Sequence, residues 1–150
     1  MRGFTLVELM VVLCIIGIAL GMVSFNVMPS AGQTLKNEAN RIALLLQLAR
    51  DEAIVRNRLV AFEADGDSYR FLVRNESQWD SVKNEDMLRE RPFKGGPVKL
   101  SIDPPSAGPG IPMRITFGRE PVDKPFVLTM AIGDDHVAIR ADGIGHFVVE

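Results

Sequence analysis

From Leu9 to Val23 the chain carries no charged residue, and one carboxylate, Glu8, stands directly before this run in GFTLVELMVVLCIIGIALGMVS. A helix that is apolar on every side has to be covered by lipid or by other helices, so this stretch constrains the chain more than any other. A carboxylate carried into hydrocarbon costs several kcal/mol, roughly 2.5–3.5 on the insertion scale for Asp at a helix centre. Glu8 therefore needs a physical reason to be there. One reason is local: Thr5 and Glu8 form a T-x-x-E capping box, with the carboxylate accepting from the open backbone N–H groups of a helix start. A helix over residues 4–28 would be about 37 Å long, more than the roughly 30 Å of a bilayer core, and would act as an anchor. A secretory signal is the competing reading, with Arg2 as basic start, Leu9–Leu20 as core and Ala19-Leu20-Gly21 as cleavage site. It predicts a mature chain beginning near Met22, but the basic region is thin and the acid sits at the edge of the core.

The whole opening, with Gly3, Phe4, Thr5, Leu6 and Glu8 in fixed register, resembles the type IV prepilin signature. That resemblance implies a leader of residues 1–3, cut by a prepilin peptidase between Gly3 and Phe4, and N-methylation of Phe4. It implies a transmembrane and filament-core helix over 4–28, with the N-terminus cytoplasmic and the remainder periplasmic, on the bacterial inner membrane. It also gives Glu8 an assembly role: the carboxylate meets a neighbouring subunit's N-terminal ammonium, which offsets its desolvation and favours one axial register. Gly17 and Gly21 add a G-x-x-x-G spacing that suits close helix contact, although this pattern alone is weak.

Residues 29–58 continue the helical signal after an interruption at Pro29 and Gly32. Leu35, Ala39, Ile42, Leu46, Ala49 and Ala53 form one apolar stripe, while Lys36, Asn40, Arg50 and Arg56 fall largely off it as a solvated face. From Leu59 the pattern changes to short strands. A hairpin is expected from Leu59–Glu63 and Ser68–Arg74, followed by Val98–Ile102, Met113–Phe117, Phe126–Ile132, His136–Ala141 and Ile144–Val149. Asp142-Gly143 and Gly133-Asp134-Asp135 supply turns. The expected fold class is α+β: a pilin-like long N-terminal helix packed on antiparallel sheet, in one or two layers, with residues 59–150 forming the β-rich domain. Residues 75–97 lack a sustained period; within them Trp79, Met87, Leu88 and Phe93 are candidate partner contacts or simply parts of the core. Residues 103–112, DPPSAGPGIP, read as a stiff exposed loop.

A net charge of −2 over 150 residues argues against a strongly basic nucleic-acid binder. The single cysteine, Cys14, excludes an intrachain disulfide and a cysteine-based zinc site. Asp134, Asp135 and His136 fall at a turn, His136 and His146 lack short zinc-helix spacing, and no nucleophile elbow, P-loop or dinucleotide fingerprint occurs. No metal, cofactor or enzymatic role is expected. Some relatives bind calcium through acidic loops, yet Asp134, Asp135 and Asp142 show no EF-hand-like ligand run. The segments LLLQLARDEAIVRNRLVAFEADGDSYRFLV and ITFGREPVDKPFVLTMAIGDDHVAIRADGIGHFVV resemble the GspH/FimT family, and most closely its H-type minor pseudopilins. This implies a structural subunit at or near the tip of a type II secretion pseudopilus, helping export folded proteins across the outer membrane. Its implied partners are the major and other minor pseudopilins. The alternative is a FimT-like minor pilin that takes up DNA. The terminal IRADGIGHFVVE offers little cation for that, which leaves Arg89, Arg91 and Lys94 as the other basic cluster.

Overall fold

The computed structural model describes residues 3–24, 30–82, 86–105 and 112–150. Two compact units result, Met1–Ser30 and Ala31–Glu150. The first holds α1 (Leu6–Ser24); of the break expected at Pro29 and Gly32, Pro29 lies outside the described residues and Gly32 does not interrupt, since it falls in the first turn of the next helix. The helical signal of the second unit becomes α2 (Ala31–Val55).

Nine strands follow among the described residues. They are β1 (Val60–Ala64), β2 (Ser68–Asn75), β3 (Gln78–Ser81), β4 (Arg91–Pro92), β5 (Lys99–Asp103), β6 (Met113–Phe117), β7 (Phe126–Ile132), β8 (Asp135–Ala141) and β9 (Phe147–Val149). They form two antiparallel sheets. The first runs β3-β2-β1-β6 with β4 also paired to β2, and the second runs β5-β7-β8-β9. The β1–β2 hairpin pairs Val60 with Val73 and Ala64 with Tyr69, so its register matches the alternation that places Phe62 and Phe71 inward. Asp65 closes the turn by accepting from the N–H groups of Asp67 and Ser68.

α2 contacts both sheets and shares one core with them. Its stripe is fully buried, from Leu35 through Ile42 and Leu46 to Ala53. Opposite it, Phe62 packs on Tyr69 and Phe71 at centroid separations of 5.8 and 5.4 Å, and Tyr69 meets Phe93 at 5.1 Å. These tilted geometries are the favoured aromatic arrangement. The second sheet adds Leu128, Met130 and Ile139.

Three features depart from the sequence reading. Residues 75–97 contain β3 and β4, neither of which shows a period: β3 is an edge strand exposed along most of its length, and β4 has only two residues. The final strand begins at Phe147, because Asp142–His146 are spent on a tight turn. Arg50 does not lie on a solvated face. It is buried, donates to the Pro121 carbonyl, and stands 3.6 Å from Asp123, so it ties α2 to the loop before β7. Arg56 does remain half-exposed and pairs with Glu52 one turn back.

Candidate functional site

α1 begins at Leu6, two residues after the expected start at Phe4. The Glu8 N–H donates to Thr5 Oγ1 at 3.3 Å and to the Thr5 carbonyl at 3.1 Å, so Thr5 caps the first turn. The Glu8 carboxylate makes no hydrogen bond or ion pair among the described residues, and the side chain is exposed. Only half of the capping box is therefore formed, and the acid is left open to a partner. Phe4 is 81% exposed, and apolar side chains stand open all round the helix, including Leu6, Leu13, Ile15, Ile18 and Leu20. A Cβ placed at Gly17 or Gly21 would meet nothing within 4 Å, so the small-residue facet is uncovered too. Among the described residues no helix is long and apolar enough to cross a membrane. The segment expected to span, residues 4–28, continues beyond them.

A second surface lies on the outer face of the first sheet. β1 is buried on both sides: Val60, Phe62 and Ala64 join the core, while alternation turns Ala61 and Glu63 outward. Glu63 sits directly across from Arg70 on β2 and Arg114 on β6. Arg70 Nε donates to Oε1 at 2.8 Å and Arg114 Nε to Oε2 at 3.0 Å, and each guanidinium adds a second bond through Nη2. The carboxylate is 2% exposed, whereas the two arginine side chains keep 44% and 40%. Burial would raise the pKa of Glu63, but the hydrogen bonds from Arg114 and Arg70, with their charges, hold it below the ordinary carboxylate range. Trp79 on β3 extends this platform, with the Arg74 and Arg114 guanidinium carbons 5.8 and 5.3 Å from its ring centroid.

Of the four candidate contacts in residues 75–97, Leu88 and Phe93 are taken into the core, at 1% and 6% exposure. Trp79 is half-buried and Met87 is exposed. The buried pair Glu38 and Tyr69 was not legible in the sequence. The Tyr69 hydroxyl donates to Glu38 at 3.1 Å, and its pKa is pushed up to about 12, first by burial and then by the Glu38 charge. Glu38 lies i, i+3 from Leu35 on the apolar stripe, and that position was the available signal.

His136 and Asp135 are exposed at the start of β8. Asp142 instead organises the last turn, accepting from the Ile144 and His146 N–H groups and approaching His146 Nδ1 at 2.6 Å. Local desolvation opposes its ionisation, but the His146 and backbone hydrogen bonds outweigh this and bring its pKa to about 2. Among the described residues no group of three or more His, Cys, Asp or Glu side chains is placed to hold a metal.

An α+β domain with a long helix on two antiparallel sheets, preceded by an uncovered apolar helix with one carboxylate, defines a pilin-like subunit. The solved structures show the same fold. Two structures of the minor pseudopilin EpsH from the type II secretion system of Vibrio cholerae superpose with TM-scores of 0.58 and 0.61 at 20% and 17% identity. They cover 77% and 81% of this chain and 95% and 98% of theirs. The type IV minor pilin FimU of Pseudomonas aeruginosa gives 0.57 at 15% identity, over 77% of this chain and 87% of that one. At such identities the likeness speaks for fold. The family model for type II transport protein GspH matches residues 38–145, and the prokaryotic N-terminal methylation motif matches residues 1–24. The chain belongs to the GspH family. It is 37% identical over 78 residues to the type II secretion system protein H of Pseudomonas aeruginosa, a match spanning 51% of this chain and 45% of that protein.

Proposed function

We propose that the chain is a minor pseudopilin: a structural, non-catalytic subunit at or near the tip of a type II secretion pseudopilus, serving export of folded proteins across the outer membrane. The observation that carries this is the join of a GspH-family domain to a helix whose apolar surface is open on all sides. Such a helix is stable only inside lipid or against other helices, and a filament of like subunits supplies the second environment. In this reading residues 1–3 are the leader, a prepilin peptidase cuts between Gly3 and Phe4, and Phe4 is N-methylated. The helix then holds the subunit in the inner membrane, with the globular unit periplasmic, until assembly. Glu8 pairs with the new N-terminal ammonium of an adjacent subunit, and its lack of a partner among the described residues suits that role. Trp79 and Met87 are the accessible candidates for contact with the major pseudopilin and other minor ones.

The test is mass spectrometry of the subunit purified from its native membrane. A chain that begins with methylated Phe4, in cells whose type II secretion fails when the gene is deleted, is the expected result. A mature start near Met22, or secretion that is unaffected by the deletion, would sink the proposal.

A further inference from the structure

Beside α2, the side chains of Arg41, Arg89, Glu90, Arg91, Phe93 and Lys94 line a surface depression of about 310 Å³. Four cations there face one carboxylate, in a chain whose net charge is −2. Arg91 is built into the fold: β4 pairs it with Tyr69, and its Nη2 donates to the Asp86 carbonyl at 2.7 Å. Its Nε is buried and has no hydrogen-bond acceptor among the described residues. A buried guanidinium N–H without an acceptor is costly. Arg41 is held 3.9 Å from Glu38, which is already engaged by the Tyr69 hydroxyl. Glu90 is directed toward the Ser68 hydroxyl at 3.4 Å. Arg89 and Lys94 are exposed and have no ion-pair partner among the described residues. Gly95 and Gly96, at φ of 98° and 110°, then turn the chain so that a Cβ on Gly95 would lie 3.4 Å from Thr34 Cγ2.

We infer that this depression is a binding site for the phosphate of a phosphate ester. Guanidinium forks and an ammonium lining one depression suit a phosphate, which offers several charged acceptor oxygens in one small group. Pro92 and Phe93 give the wall an apolar part against which the ester carbons rest. The expected source is the headgroup of an anionic phospholipid, and that source depends on the membrane attachment proposed above, whereas the site itself does not.

The test is isothermal titration of the full chain in uncharged maltoside micelles with dihexanoyl phosphatidylglycerol and, separately, with inorganic phosphate. Saturable binding is expected, weakened at least tenfold in the double variant Arg89→Gln, Lys94→Gln. Both side chains are exposed, so the variant should melt like the parent. Tighter binding of the lipid supports the headgroup as source. Equal binding of both upholds the site and assigns it to free phosphate. Binding of neither anion, or binding that the double variant leaves unchanged, overturns the inference. A short DNA duplex that binds more tightly than both would also overturn it, in favour of a nucleic-acid surface. None of these results bears on where the mature chain starts, so this inference and the secretion role fail separately.

Discussion

Glu63 and Glu8 show how differently one residue type is used. Glu63 is enclosed by two arginines of the neighbouring strands, so Glu63→Gln leaves both guanidinium groups facing an amide that satisfies them poorly. A loss of about 2 kcal/mol in urea denaturation at neutral pH is expected. The pH dependence follows from its lowered pKa. The stabilisation is present above the ordinary value of 4.5 and is lost as pH falls from there through the lower folded value. The parent should therefore weaken with acid below about pH 4.5 more steeply than Glu63→Gln, which denaturant midpoints measured across that range would show. Glu8 contributes nothing comparable to the fold, since its carboxylate makes no bond among the described residues. Glu8→Ala is expected to leave leader cleavage intact and to impair incorporation into filaments. Normal filament yield and secretion in that variant would remove the ion-pair role.

Among the elements, the last turn gives the sharpest structural prediction. Gly143 has φ of 82°, its carbonyl accepts from the Asp123 N–H at 2.7 Å, and a Cβ there would collide with the Asp123 carbonyl oxygen. Gly143→Ala should cost about 2 kcal/mol or more, read as a lowered melting temperature. Asp142-Gly143 was legible as a turn because its residue types carry their own backbone chemistry. The β1–β2 hairpin and the stripe of α2 were legible for the matching reason, a clean period with one buried face. Arg50 and Glu38 were not legible. α2 lies against two sheets, so polar residues beside the stripe are buried as well, and their partners Asp123 and Tyr69 are distant in sequence. β3 and β4 escaped for the opposite reason, since an exposed edge and a two-residue bridge leave no pattern. Leu88 and Phe93 carried no sign that they were core and not contact. Leu88→Ala should cost about 3 kcal/mol, as a buried side chain does, whereas Met87→Ala should change stability by less than about 0.5 kcal/mol.

At the scale of the molecule, residues 31–150 contain a core of their own, drawn from α2 and both sheets. Expressed without residues 1–30, that unit should unfold in one cooperative transition by circular dichroism. A broad, non-cooperative melt would show that the core is incomplete. The N-terminal methylation motif was legible because it is local: it is defined by the order of residues along the chain, and no tertiary contact is needed to read it. α1, by contrast, presents water with hydrocarbon on every side. If the chain assembles as proposed, a copy released from its polymer would carry that surface uncovered, and lipid is the environment that would cover it. Growth and shortening would then be one exchange run in two directions, with each departing copy returned to a reservoir and available again.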